Sequence, residues 1–146
     1  MTGPGLEVAI AEARQGLAEG GIPIGSAIEI DAEIVGRGRN RRVQRDSVVL
    51  HAEMDALENA GRRPAAEYRR STIYTTLSPC PMCSGAILLY GIPRVVVGEN
   101  RTFLGAEDHL RANGVTVEVV DDQTCVEMMS GFVTTHPGLW SEDIGE

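Results

Sequence analysis

His51, Glu53, Cys80 and Cys83 are the residues of this chain whose types and spacing can do chemistry. Two thiolates three positions apart and one imidazole are ligands of the soft-to-borderline kind that zinc accepts. Three protein ligands leave one corner of a tetrahedron open, which is the arrangement of a catalytic metal and not of a structural one. Glu53 follows the histidine by two residues in His51-Ala52-Glu53, close enough to face the same site without binding the ion. A carboxylate there can take a proton from a metal-activated water and pass it to a reacting ring nitrogen and then to a departing amine.

Other readings of the same residues are weaker. A C-x-x-C alone is shared by redox motifs and by structural zinc knuckles. A structural site needs a fourth protein ligand, and the remaining cysteine, Cys125, lies in an amphipathic segment where a core thiol is expected. A redox role would leave His51-Ala52-Glu53 without a purpose.

These residues need helices to position them. Residues 50–60 read as a helix closed by Gly61, and residues 80–90 as an apolar, buried helix with Pro81 tolerated in its first turn and Gly91 at its end. Each half of the motif therefore opens a helix. Unpaired amides at such a start favour the thiolate form, and residues three apart share a helix face.

The rest of the chain supplies a scaffold. Residues 6–19 carry apolar side chains at Leu6, Ala9, Ile10, Ala13 and Leu17, a helical stripe ended by Gly20-Gly21 and Pro23. Residues 26–30 and 33–38 read as a hairpin turning at Asp31-Ala32, with Gly36 and Gly38 weakening the second strand. Residues 40–49 read as a loop. Strands follow at 71–77, 94–98 and 115–120, and helices at 106–112 and 123–133. Residues 136–146 read as an acidic tail. Strands separated by helices point to a layered α/β domain with parallel pairs after the first hairpin. A single domain over 1–146 accounts for the length, with no repeat or linker in it.

Composition narrows the partners. Hydrophobic residues make up 42% and charged residues 23%, ordinary for a globular protein. No apolar run is long enough to span a bilayer, and the first residues lack the pattern of a signal peptide, so a cytoplasmic protein without membrane contact is expected. The net charge of −8, with all 13 basic residues Arg, is poor footing for nucleic acid. Five arginines between Arg37 and Arg45 read as a solvated edge or a subunit contact.

The H-x-E and P-C-x-x-C pair is the signature of zinc nucleobase deaminases. The stretch from Tyr74 to Ile87, with Tyr90-Gly91-Ile92-Pro93-Arg94, Val97-Gly98-Glu99-Asn100 and the ending Trp140-Ser141-Glu142-Asp143-Ile144-Gly145-Glu146, closely resembles the fungal-type cytosine deaminases of the cytidine-deaminase-like superfamily. So do Glu19 to Gly25 and Gly36 to Asn40. The resemblance implies a three-layer α/β/α sandwich around a five-stranded mixed sheet, a homodimer, one zinc ion (Zn2+) per subunit, and hydrolysis of free cytosine to uracil and ammonia through attack of zinc-activated water at C4. It assigns His51, Cys80 and Cys83 as zinc ligands and Glu53 as proton shuttle. It assigns Asn40 as the pocket amide, Asp143 as the tail carboxylate that accepts from pyrimidine N1–H, Phe103 and Trp140 as an aromatic lid, and Ile24 as a pocket wall, with Ala52 at the pocket edge.

The sequence departs from that subfamily at Ala52, where Gly is usual, at Arg39 and Val43, and in a loop after Phe103 that is one residue shorter. These changes touch pocket edges and leave guanine, isoguanine, substituted cytosines or a triazine as alternative substrates. A tRNA-adenosine or nucleoside deaminase is the further alternative, for which the arginine run is the best support.

Overall fold

The computed structural model describes residues 4–146. Among them the elements run α1 (Gly5–Ala18), β1 (Gly25–Ile30), β2 (Glu33–Arg39), α2 (Arg42–Arg45), α3 (Ala52–Ala60), α4 (Ala65–Tyr68), β3 (Ser71–Leu77), α5 (Pro81–Leu89), β4 (Arg94–Glu99), α6 (Glu107–Ala112), β5 (Thr116–Val119), α7 (Gln123–Thr135) and α8 (Pro137–Asp143). The sheet order is β2-β1-β3-β4-β5. β1 pairs antiparallel with β2 and β3, whereas β3, β4 and β5 are parallel, so the sheet is mixed as expected.

The hairpin turns at Asp31 and Ala32, both at positive φ (52° and 66°), as a two-residue turn with the twist of its strands requires. Side chains alternate across the sheet. Ile73, Val95 and Val97 face Ala56, Ile87 and Leu110 of α3, α5 and α6. Tyr74 and Val96 face the other way, toward Leu6, Ala9 and Ile10 of α1 and Cys125 of α7. Three layers result.

Gly38 has a positive role where a weakened strand was expected. A Cβ there would lie 2.5 Å from the Ala56 backbone nitrogen, so its absence lets α3 lie against β2. Asp55 completes the contact by accepting from the Arg39 amide at 3.0 Å. This close seating fixes where α3 begins, and hence where His51 stands.

Some expectations are corrected. Residues 136–146 contain the helix α8 instead of an irregular tail: Pro137 occupies its first turn, and Trp140 and Asp143 are buried beneath it. Short α2 lies inside the expected loop. Leu17 is 44% exposed, because the buried face of α1 passes through Gly16, whose bare backbone packs beside Arg39. Three of the five arginines from Arg37 to Arg45, namely Arg39, Arg41 and Arg42, are not a solvated edge, while Arg37 stays half exposed although paired. Arg37 and Arg39 reach Glu12 at 2.7 and 2.8 Å, Arg39 also reaches Glu19 at 2.9 Å, Arg41 reaches Asp55 at 2.9 Å, and Arg42 lies 3.7 Å from Asp143.

Candidate metal and catalytic site

Strand directions gather the site at one end of the sheet. Parallel β3 and β4 end there at Leu77 and Glu99, while antiparallel β1 starts there at Gly25 and β2 ends there at Arg39. Ile24, Asn40, Ser78 and the loop 100–106 consequently converge, in the crevice where open α/β sheets take ligands. Gly25 N–H donates to Thr76 Oγ1 at 3.1 Å, and Asn40 N–H donates to the Ile24 carbonyl at 3.0 Å, locking these strand ends together.

Two helix starts bring in the candidate metal ligands. His51 is the N-cap of α3, and Cys80 is the N-cap of α5, where its sulfur accepts from the Cys83 amide at 3.5 Å and Pro81 takes the first helical position. His51 Nδ1 lies 3.4 Å from Cys80 Sγ and 3.7 Å from Cys83 Sγ. Edges of a tetrahedron with Zn–N near 2.0 Å and Zn–S near 2.3 Å are roughly 3.5–3.8 Å long. The donor set therefore fits zinc in both chemistry and spacing. Among the described residues, it is the cluster of three His, Cys, Asp or Glu ligand atoms close enough to hold one ion.

The protonation pattern agrees with that fit. The hydrogen bond from the Cys83 thiol, followed by that from His51, holds the Cys80 thiol down to about 4 against its burial. The bond to Cys80 and burial push the Cys83 thiol upward. Burial opposes a cationic His51, yet the bond to Cys80 and the charges of Asp143 and Glu53 carry it up to about 9. Protons thus sit between donors that a divalent cation would bind directly, releasing those protons.

On its other side, His51 Nε2 lies 3.1 Å from the Asp143 main-chain carbonyl. That acceptor keeps a proton on Nε2, so the proton that a bound cation would displace is the one on Nδ1, the nitrogen that faces the thiols. Glu53, 4% exposed, lines the same pocket. Burial pushes its carboxyl up to about 7, with the Cys80 charge adding to the effect and His51 opposing it.

The pocket above the cluster measures about 290 Å³, its mouth included. Ile24, Asn40, Ala52, Glu53, Phe103, Trp140 and Asp143 all line it with His51 and Cys80, and Cys83 lies fully buried behind. Every residue singled out from the sequence is in one place. Phe103 meets Trp140 edge-on, centroids 6.0 Å apart and planes at 81°. Asn40 Nδ2 donates to Asp143 Oδ1 at 2.8 Å, and Asn40 Oδ1 accepts from the Arg42 amide at 3.1 Å. Burial raises the Asp143 carboxyl, opposed by His51, Asn40 and Arg42.

Sequence reasoning missed Leu77, Ser78 and Ile144, which also line the pocket, and the approach of Arg42 to Asp143. Ser78 carried a signal, since it stands two residues before the first cysteine. Ile144 carried none while its segment was read as a tail. Cys125 is 1% exposed in the α1/α7 layer, far in role from the metal cluster.

The sheet and this three-ligand cluster define a zinc deaminase domain: the chain belongs to the cytidine and deoxycytidylate deaminase zinc-binding family, whose profile matches residues 5–99. Within that family it is 55% identical over 143 residues to the cytosine deaminase of Candida albicans, covering 97% of this chain and 95% of the relative. It is 39% identical over 106 residues to a tRNA-specific adenosine deaminase of Streptococcus pyogenes, covering 72% of this chain and 67% of that one. Among solved structures, a tRNA:A34 wobble deaminase superposes with a TM-score of 0.69 at 26% identity, over 84% of this chain and 96% of the other. Guanine deaminase from Nitrosomonas europaea superposes with a TM-score of 0.67 at 20% identity, over 88% and 82%, a likeness of fold. No helix of the described residues is long and apolar enough to cross a membrane.

Proposed function

We propose that this protein hydrolyses free cytosine to uracil and ammonia, as a zinc-dependent hydrolase acting on the C–N bond of a cyclic amidine. The observation that carries the substrate assignment is Asp143, a carboxylate only 8% exposed, set over the metal cluster by α8 and bonded to Asn40. A pyrimidine N1–H directed at it supplies a donor. A nucleoside carries its sugar on that nitrogen, so it would bring no donor to the second oxygen of the buried carboxylate and would crowd it instead. The identity with the Candida albicans cytosine deaminase supports the same substrate.

His51, Cys80 and Cys83 would hold zinc, which when bound supplies Lewis-acid activation of water, lowering its pKa from about 15.7 toward 7. Glu53 takes the first proton of that water and gives it to ring N3 as the remaining hydroxide bonds to C4. It then takes the second proton from the new C4 hydroxyl and gives it to the amino group, so that the C4–N bond breaks, ammonia leaves and C4 becomes a carbonyl. A buried carboxyl near neutrality can both accept and release each proton. Asn40 spends one Nδ2–H on Asp143 and keeps the other for the ring carbonyl. Phe103 and Trp140 cover the ring, while Ile24 and Ala52 give an apolar wall that a bare base can fill.

The assembly is a homodimer, supported by the exposed Leu89 and Tyr90 at the end of α5 beside Met54 and Leu57 of α3, an apolar surface of the kind that marks interaction sites. Its place is the cytoplasm, supported by three free cysteines with no disulfide. A tRNA substrate is disfavoured, because the arginines available for phosphate are largely engaged by the chain's own carboxylates.

The test is ammonia release from the zinc-loaded protein across cytosine, 5-methylcytosine, isocytosine, guanine, adenine, a triazine and cytidine. Cytosine turnover without cytidine turnover is expected. Preference for guanine or a triazine would replace the substrate and keep the chemistry.

A further inference from the structure

Two buried carboxylates beside the site have no part in the chemistry above. Glu99 ends β4 and Glu107 opens α6, at 0% and 2% exposure. The loop 100–106, which carries Phe103, runs between them. At its start, Glu99 Oε2 accepts from the Arg101 and Thr102 amides at 2.7 and 2.9 Å. At its end, the Ser78 hydroxyl donates to Glu107 Oε2 at 2.6 Å, and Ser78 Oγ accepts from the Gly105 amide at 2.9 Å. Asn100 Nδ2 donates to the other Glu107 oxygen at 3.3 Å.

The direction of these bonds matters. A hydroxyl has one proton, so giving it to Glu107 turns the serine lone pairs toward Gly105. The bond is charge-assisted and sheltered from water, which makes it a firm one. Gly105 sits so close beneath the Pro79 carbonyl that a Cβ would collide with it, and the Ala106 amide donates to that carbonyl at 3.0 Å. The loop is thereby fastened to residues 78 and 79, directly before the ligand Cys80.

We propose that Ser78 and Glu107 are positioning residues: by clamping Gly105 they hold Phe103 edge-on against Trp140 and so fix the width of the slot that receives the base. The identity of that base rests on the cytosine reading given above; the clamp does not. Neither residue touches the reacting atoms through its side chain.

Trp140 is the only tryptophan of the chain, so its emission reports on the Phe103 contact without any substrate. The experiment compares zinc-loaded Ser78→Ala, Glu107→Ala, Glu107→Gln and Phe103→Ala with the parent. Ser78→Ala is expected to shift Trp140 emission to the red and to raise the KM for cytosine about 10-fold, the size of one net hydrogen bond, with kcat within about threefold. Phe103→Ala should do the same, and the Ser78→Ala/Phe103→Ala double variant should add nothing further to KM. Glu107→Gln still accepts from the serine and should restore both readings, whereas Glu107→Ala should not.

Parent-like emission and KM in Ser78→Ala would overturn the proposal. Additive effects in the double variant would do so as well, because Ser78 would then act elsewhere than through Phe103. Should Glu107→Ala fail to fold, Ser78→Ala and the double variant decide. A shifted emission in a protein that turns over no cytosine would leave the clamp standing and remove the substrate reading alone.

Discussion

The Asp143 main-chain carbonyl accepts from His51 Nε2 at 3.1 Å, joining the last helix to the metal cluster. In the proposed function Asp143 has two separate tasks, its carbonyl orienting a zinc ligand and its carboxylate facing the substrate slot. Partners that orient a metal-bound histidine typically account for 10- to 100-fold in metal affinity. A chain ending at Glu142 should transfer its zinc to a chromophoric chelator roughly 10-fold faster than the full chain. Asp143→Ala keeps the carbonyl, so its zinc should stay in place while kcat/KM for cytosine falls roughly 10- to 100-fold. Equal transfer rates for the shortened and full chains would show that the contact does not hold the ligand.

Glu53→Gln removes the carboxylate without changing its volume. Zinc content should remain one per chain by metal analysis. Turnover should fall by roughly 10²–10⁴, the range that a positioned acid–base group contributes. Retained turnover would place the proton transfer on another group.

Gly38→Ala puts a methyl group against the Ala56 nitrogen and the Asp55 carboxylate, both on α3. Overpacking at a helix–sheet contact should cost about 2–3 kcal/mol. Because α3 carries His51 at its start, zinc should also be held less tightly. Denaturant unfolding of the zinc-loaded and chelator-treated forms separates the two effects, and the destabilisation should be larger in the zinc-loaded form.

The Arg39 guanidinium holds the Glu19 carboxyl down to about 2, with Gln15 and Gln44 assisting. A carboxyl with a depressed folded pKa contributes stability that is complete above its unfolded value, near 4.5, and is lost as the pH falls through about 2. Glu19 is open to solvent, so the contribution is small. The Tm difference between the parent and Glu19→Gln should therefore narrow steadily from pH 5 to pH 2. Comparing two proteins with the same metal site cancels the acid release of zinc. A gap that widens toward pH 2 would reverse the sign of the linkage.

Much of the fold was legible because its elements announce themselves. The Val-rich strands, the glycines after helices and the cysteine spacing each have a local cause, and the motif pointed to the three residues that the fold brings within ligand distance of one another. What stayed hidden depended on tertiary approach. Gly38 looked like a defect in a strand until α3 was seen lying on it. The arginine run looked like a solvated edge because Glu12, Glu19 and Asp55 are distant in sequence. The last residues read as an acidic tail because their burial comes from residues elsewhere in the chain, Phe103, Met129 and Phe132 of α7, and the strand ends they cover. Asp143 and Trp140 were named through a family resemblance; their composition alone would have left them in solvent.

The most direct test of the substrate assignment compares kcat/KM for cytosine and cytidine, followed by absorbance on the zinc-loaded protein, with Glu53→Gln as the blank. A pocket closed by a buried carboxylate should prefer the free base by about 10³-fold or more. Cytidine turned over as efficiently as cytosine would contradict the role given to Asp143.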